Sequence, residues 1–387
     1  MTVVLKPGRE RPILMRHQWI FSGAIESIDL DEEGGIAKVL DSHGALLGHA
    51  YFNTRSDITG RMVSFKDADP LEAIMKKVRE AADLRKTLFD TKQTNAFRVI
   101  NGEGDGLPGF VADLYGSILV VQVGTLGMEK LKDSLIEQLK EIFPITCVFE
   151  KSTAPARKKE GLTPKEEALF GELPKECEIL ENGLSYIVNI REGQKTGFFL
   201  DHREMRLKVR SLSKNRRVLN CFSYTGGFTV SALAGGACLA DSVDASKMAV
   251  ATAERNVNLN GLKAEGSRFL KADAFDFLKL DPLDYDLVIL DPPAFAKSRG
   301  EVKGALRGYR EINREAMRKM PDGSLLLTAS CSYYVNAPLF EQTVLQAALD
   351  AGRDVRIVGR HIQAPDHPVN LYHEESDYLK SLLLVLH

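Results

Sequence analysis

Residues 287–298 read LVILDPPAFAKS. Four apolar residues that stop at an acid and two prolines describe a strand buried on both faces, as in a parallel sheet. Pro292 and Pro293 remove two N–H donors and fix the backbone immediately after the strand, so the ladder cannot continue. The turn aims the Asp291 carboxylate, and the carbonyls after it, into the mouth at the C-terminal edge of the sheet. A rigid turn without function would also use two prolines, so the reading depends on what the neighbouring strands carry.

From about Asn189 the texture is strand–helix alternation. VLNCF, LADSVD, RFLKAD, DLVILD and LLLTAS are apolar runs, each followed by a helical or turn segment. The pattern predicts a doubly wound α/β sheet. The final run, YLKSLLLVL, closes that sheet without a further helix. The first of these strands ends near Phe222, and the loop SYTGG leads into a helix. Gly226 and Gly227 let the backbone approach a ligand there, and helix N-terminal N–H groups bind carboxylate or phosphate. The pattern is not GxGxxG, which weakens a dinucleotide reading. The second strand ends at Asp244, where an acid hydrogen-bonds ribose hydroxyls in Rossmann-like folds. Ser246 caps the next helix, which stops at Asn260-Gly261, and the third strand ends at Asp273. One acid at a strand end is as readily a helix cap; acids at consecutive strand ends point to a nucleoside ligand.

Residues 1–68 read as short strands separated by Gly, Asp and Asn, a small all-β domain. Asp69 and Pro70 then open a helix as N-cap and first-turn residue. Residues 69–188 form a small α+β domain, with a hairpin around Gly106–Gly109, a helix over MEKLKDSLIEQLKEIF and a strand at ITCVFEK. STAPARKKEGLTPKEE reads as a polar loop. The third domain is 189–387. The chain is 44% hydrophobic and 27% charged, which suits a globular protein, and its net charge of −2 leaves nucleic-acid contact to local basic patches. No apolar run reaches the roughly 18 residues a membrane span needs. The five cysteines (147, 177, 221, 238 and 331) show no CxxC spacing, against zinc ribbons and thioredoxin-type sites. An odd count without a signal peptide predicts reduced thiols and a cytoplasmic protein.

With GQKTGFFLDHR (193–203), FSYTGGF (222–228), DPPAF (291–295), SCS (330–332) and APDHPV (364–369), the chain from about 190 resembles the class I S-adenosylmethionine (SAM) methyltransferases. Over nearly its full length it resembles the bacterial 23S ribosomal RNA 5-methylcytosine methyltransferases of the RlmI type. The resemblance implies a PUA-like RNA-binding domain, a central α+β domain and a Rossmann-like methyltransferase domain with a seven-stranded, mostly parallel sheet. It implies SAM as cofactor and S-adenosylhomocysteine as product. By position, Lys195, Thr196, Asp201 and Arg203 would hold the methionine end, and Phe222, Tyr224 and Gly226 would lie along the body of SAM. Asp244 would take the ribose, Asp273 and Ala274 the adenine, and Asp291 would border both cofactor and substrate. GQKTGFF also reads as a plain loop turned by Gly193 and Gly197.

The fourth and fifth strands are neighbours in such a sheet, so Asp291 and Cys331 should face each other across the mouth. Carbon 5 of cytosine is too weak a nucleophile to take a methyl group, and a thiolate adding to carbon 6 activates it. A depressed thiol pKa would need nearby positive charge or N–H groups. Asp291 would bond the exocyclic amine or N3. A strand-end cysteine is also commonly core. Related RNA enzymes carry a second cysteine for product release just after the fourth-strand proline; here that position is Pro293 followed by Ala294, leaving that step to another base or water. RNA contact is expected from Pro292, Phe295, Lys297 and Arg307, with Arg299, Lys303 and Arg310 beside them, and from the basic runs 157–159 and 206–217. Phe295 and Tyr333 could stack on the base, APDHPVNLYH reads as a substrate lid, and His367 as structural. The expected partner is 23S ribosomal RNA, with no membrane; exposed β edges allow a homodimer. Two other functions fit less well. DPPAF also resembles the DPPY/NPPY motif of enzymes that methylate exocyclic base amines, and a non-catalytic RNA-binding role in ribosome assembly would need no cofactor. An NAD-dependent dehydrogenase lacks its GxGxxG.

Overall fold

Short β-branched and apolar runs separated by turns pair antiparallel where the chain doubles back within a few residues. Six such strands, Thr2–Leu5, Trp19–Phe21, Ile25–Asp29, Ile36–Leu40, Leu46–Phe52 and Ile58–Ser64, form one sheet. Val3, Leu5, Val39, Ala50, Phe52 and Met62 make its core. A second sheet has five strands: Ala96–Asn101, Phe110–Tyr115, Ile118–Val123, Cys147–Ser152 and Lys165–Phe170. The helices Pro70–Leu88 and Leu126–Ile142 cover it with Ile74, Val78, Leu135 and Leu139. Asp69 caps the first helix by accepting from Glu72 N at 2.8 Å. The computed structural model describes residues 1–263, 265–280 and 282–387. These divide into two units, the first of 1–180, 188–200 and 365–376 and the second of 181–187, 201–364 and 377–387. The boundary expected near 68 falls between two sheets of the first unit, and Tyr51 and Val63 of the six-stranded sheet join the second core. Among the described residues no helix is long and apolar enough to cross a membrane.

Two expectations change here. The stretch expected as a polar loop holds a 3₁₀ turn, Pro155–Glu160, and the edge strand Lys165–Phe170, which pairs antiparallel with Cys147–Ser152. The reason is a buried charge cluster that composition hides. Arg157 is 1% exposed; it donates to Glu129 Oε2 at 3.1 Å and to Thr163 O at 2.9 Å, and lies 3.8 Å from Glu150 Oε1. It is therefore not a phosphate contact. APDHPVNLYH, read as a lid, is fastened within the first unit: Asp366 Oδ2 accepts from Arg98 N at 2.9 Å and its carbonyl from Arg85 Nη2 at 2.7 Å. Asn101 Nδ2 donates to Pro368 O at 3.1 Å, and His367 is buried, in keeping with a structural role.

The second unit holds the alternating pattern. Its strands are β1 (Arg217–Cys221), β2 (Leu239–Asp244), β3 (Phe269–Lys271), β4 (Leu287–Leu290), β5 (Leu325–Ser330), β6 (Val355–His361) and β7 (Lys380–Leu386). Its helices are α1 (Arg203–Leu212), α2 (Gly227–Ala234), α3 (Lys247–Leu259), α4 (Ala274–Leu278), α5 (Val302–Lys319) and α6 (Ala337–Ala351). The sheet order is β3-β2-β1-β4-β5-β7-β6, with β7 antiparallel to both its neighbours. Every residue of β4 and β5 is buried, as their unbroken apolar runs require. Leu219, Val243, Val288, Leu290, Leu326 and Leu384 meet Tyr309, Ile312 and Phe340 of α5 and α6 in one core. The order of β1 and β4 reverses the winding direction, and in such sheets ligands bind outside the C-terminal strand ends at that point.

Replacing Arg157 with Ala should cost about 3–5 kcal/mol of stability, because Glu129 and Glu150 would keep buried charge without it. Urea unfolding of the variant checks this, and a loss under about 1 kcal/mol would remove the buried-cluster account.

Candidate active site

Parallel pairing of Leu287–Leu290 with Leu325–Thr328 brings the tips of β4 and β5 to the same edge. Beyond them stand Asp291-Pro292-Pro293 and Ser330-Cys331-Ser332. Side chains alternate along an extended chain. Ser330 and Ser332 thus both turn inward and are fully buried, while Cys331 between them is half-buried. Ser330 Oγ donates to Tyr309 Oη at 2.9 Å, and that hydroxyl meets Ser332 Oγ at 2.9 Å. Ser332 Oγ in turn accepts from Ala296 N at 3.2 Å, tying the turn after the two prolines to the tip of β5. Cys331 Sγ then lies 3.9 Å from the Pro292 carbonyl.

Two groups outside the expected set complete this corner. His202 is buried, sits edge-on to Phe228, and places Nε2 3.3 Å from Asp291 Oδ2. Lys380, the first residue of β7, donates from Nζ to Ser332 O and Tyr378 O, both at 2.8 Å. Burial pulls Lys380 down to about 8, opposed by the charges of Asp377 and of Cys331. The coupling runs both ways: an ammonium close enough to feel the thiolate stabilises it, which is the positive charge that a reactive cysteine requires. A signal for each existed. His202 lies inside GQKTGFFLDHR, between Asp201 and Arg203, and Lys380 is the one charge in the apolar run LKSLLLVL.

The remaining strand tips build the rest of the rim. Phe222 and Tyr224 have φ of 57° and 48°, in the left-handed region that costs non-glycine residues energy. The strained loop is held by Tyr224 N donating to Asp244 Oδ2 at 2.9 Å and Ser223 N to Val243 O at 3.0 Å. Asp244 Oδ1 accepts from Ser246 N at 2.8 Å. An ionised carboxylate has about four acceptor sites, so Asp244 keeps capacity for hydroxyl groups. Packing by itself already requires glycine at 226. Its φ is 78°, and a Cβ there would sit 2.6 Å from Ala253 Cβ on α3. The buried hydroxyls of Ser223 and Thr225 find no hydrogen-bond partner among the described residues. Donors left over in a loop beneath a helix N-terminus fit an adenosine-bearing, carboxylate-bearing ligand.

Asp273 caps α4, accepting from Phe275 N at 2.8 Å and Asp276 N at 3.2 Å, and Ala274 is buried behind it. Phe222 stands edge-on to Phe275, 6.2 Å between ring centres. Asp201 is buried and accepts from Tyr378 Oη at 2.6 Å. Arg203, also buried, lies 3.4 Å from Glu181, which Arg206 grips bidentately at 2.6 and 2.7 Å. Arg206 is therefore not available to phosphate. Lys195 and Thr196 belong to the first unit. There Lys195 Nζ lies over the Phe199 ring at 4.5 Å and Thr196 Oγ1 donates to Asp113 Oδ2 at 2.6 Å. Pro292 is buried; Phe295 packs on Phe275 and Tyr309, with ring centres 5.8 and 4.7 Å away, as wall rather than platform. Lys297 and Arg307 are exposed, whereas Arg310 is paired with Asp350 at 2.5 and 2.7 Å.

Residues 160–376 match the family model of S-adenosylmethionine-dependent methyltransferases, and residues 3–65 match that of a PUA-like domain. The chain is 39% identical to ribosomal RNA large subunit methyltransferase I of Alteromonas mediterranea, covering 98% of each chain. It is 38% identical to the enzyme of that name from Escherichia coli, over 98% of this chain and 97% of the relative. The chain belongs to the ribosomal RNA large subunit methyltransferase I family. Its members are SAM-dependent methyltransferases, and the solved structure SMU.776, complexed with SAH, superposes over the whole of both chains with a TM-score of 0.86 at 25% identity. The methyltransferase thus carries the PUA-like domain and the Rossmann-like sheet that its motifs imply.

Replacing Lys380 with Met should slow alkylation of Cys331 by iodoacetamide at pH 7, by up to about tenfold for each unit its thiol rises. The two proteins should converge as the pH passes about 8, where Lys380 itself loses its proton. Site-resolved mass spectrometry, with the exposed Cys238 as internal reference, reads the rates; superimposable profiles would detach Lys380 from the thiol.

Proposed function

We propose that this methyltransferase forms 5-methylcytosine in 23S ribosomal RNA, with Cys331 as covalent nucleophile. The observation that carries the reading is the half-buried Cys331 thiol beside the Pro292 carbonyl and within the field of the Lys380 ammonium. A cysteine kept only for packing has no use for a buried lysine at its side. The relatives' name supports ribosomal RNA of the large subunit as substrate, and the reaction then takes place in the cytoplasm.

SAM supplies an electrophilic methyl group. Direct contact with it is assigned to Phe222, Tyr224, Gly226, Asp244, Asp273 and Ala274, with the Ser223 and Thr225 hydroxyls as additional donors. Asp201 and Arg203 act as supports, since their side chains already hold Tyr378 and Glu181. The target base must be single-stranded or flipped out to reach this rim. The Cys331 thiolate adds to carbon 6, and the electron pair of the 5,6 double bond becomes available at carbon 5. Once carbon 5 is methylated, its proton leaves to a solvent base, the carbon–sulfur bond breaks and the double bond is restored. Asp291, with His202 Nε2 3.3 Å from its Oδ2, is assigned to the exocyclic amine of cytosine. His202 is a positioning residue. Lys297 and Arg307 are exposed cations in the segment that follows the Asp-Pro-Pro turn and are assigned to phosphate.

Cys331→Ala should abolish transfer of labelled methyl to ribosomal RNA while leaving SAM affinity by calorimetry nearly unchanged. Nucleoside analysis of the wild-type product should give 5-methylcytidine. Turnover that survives in the variant, with an N-methylated base as product, would transfer the reaction to the exocyclic-amine route of the Asp-Pro-Pro motif.

A further inference from the structure

A cluster of two histidines and a glutamate lies within the first unit. His17 follows Arg16, whose φ of 63° turns the chain between the helical turn Arg11–Leu14 and the strand Trp19–Phe21. His373 and Glu375 come from the fastened segment 365–376, where Asn370 and His373 form an isolated bridge. His17 Nε2 is 3.4 Å from both oxygens of Glu375, and His373 Nε2 is 3.7 Å from Glu375 Oε2. One ligating atom from each of the three residues lies within 4.8 Å of the others.

His373 is the informative member. It is 0% exposed, and neither of its ring nitrogens has a hydrogen-bond partner among the described residues. Buried polar atoms are almost always bonded, and leaving them unbonded costs folding energy. Its stacking, 4.7 Å from the His17 ring and 4.5 Å from that of Trp19, fills space but satisfies neither nitrogen. Zinc-to-nitrogen and zinc-to-oxygen bonds of about 2.0–2.2 Å place tetrahedral donors roughly 3.4 Å apart, close to the carboxylate–imidazole spacings here. His17 Nδ1 lies 3.2 Å from Trp19 N and 3.4 Å from Trp19 O; in the tautomer protonated at Nδ1 it donates to that carbonyl and leaves the Nε2 lone pair for a metal. Glu103, which accepts from Trp19 Nε1 at 3.2 Å, adds negative charge beside the cluster. Two imidazoles and a carboxylate suit zinc and its borderline neighbours, not magnesium or calcium.

We infer that His17, His373 and Glu375 bind a zinc-class divalent cation that clasps the 365–376 segment onto the PUA-like domain. The bond closes a loop across 358 residues, and a fourth position stays open to water. The inference is independent of the methyl acceptor.

Full-length protein stripped with a chelator is titrated with zinc chloride by calorimetry. One equivalent should bind and raise the melting temperature. His17→Ala and Glu375→Gln, at partly exposed positions, should each weaken binding by about tenfold or more. Circular dichroism of the metal-free variants that matches the parent separates loss of the site from misfolding. Cobalt(II) should give ligand-field bands without a thiolate charge-transfer band, which excludes the cysteines as ligands. No saturable binding, or unchanged affinity in both variants, would overturn the site.

Discussion

The hydroxyl of Tyr309 joins Ser330 to Ser332, and through Ser332 reaches the backbone after the two prolines. Most of what the second unit can do follows from that junction. It locks two neighbouring strand tips in one register, and because side chains alternate, anchoring both serines inward leaves the residue between them facing the other way. A thiol presented like this is fixed by the anchored serines on either side of it, with the Pro292 carbonyl 3.9 Å from its Sγ. Its electrostatic partner arrives from β7, the strand that enters the sheet against the direction of the others, so that its first residue lies beside the last residues of β5. An all-parallel sheet would bring a strand's final residue to this edge; the antiparallel insertion brings Lys380.

The cofactor rim is built on a different economy of bonds. Its acids are engaged by backbone N–H groups, Asp244 by Tyr224 and Ser246 and Asp273 by its own helix. These bonds hold the carboxylates in place before any ligand arrives, and the strained Phe222–Tyr224 loop is held by the same bonds. Preorganised groups lose little on binding, so little of the interaction energy is spent on ordering the site. The helix-cap and ligand roles of a strand-end acid are thus compatible at Asp244, where acceptor capacity remains.

Six of the seven strands were legible as apolar runs, because strands buried within a sheet leave an uninterrupted signature; Val355–His361, largely exposed at the sheet edge, left none. Asp69 and Ser246 were legible as caps for a similarly local reason. Arg157 and Arg206 were misread as phosphate contacts because a run of basic residues looks the same whether its members are solvated or buried. Only the folded positions of Glu129, Glu150 and Glu181, on other elements, distinguish the two. The edge strand after Pro155–Glu160 escaped notice because its charged composition suits solvent, and its pairing partner rather than its own pattern makes it a strand.

By itself the sequence determined the Rossmann-like architecture, the acids at the strand ends and the prominence of Cys331, since these rest on local rules of periodicity, capping and proline geometry. Tertiary structure alone decided that His202 stands beside Asp291, that Lys380 stands beside Cys331, and that His17 meets His373 and Glu375. Each of these pairs residues from distant segments, and no local pattern encodes a distance that exists only once the sheet has closed and the segments have docked.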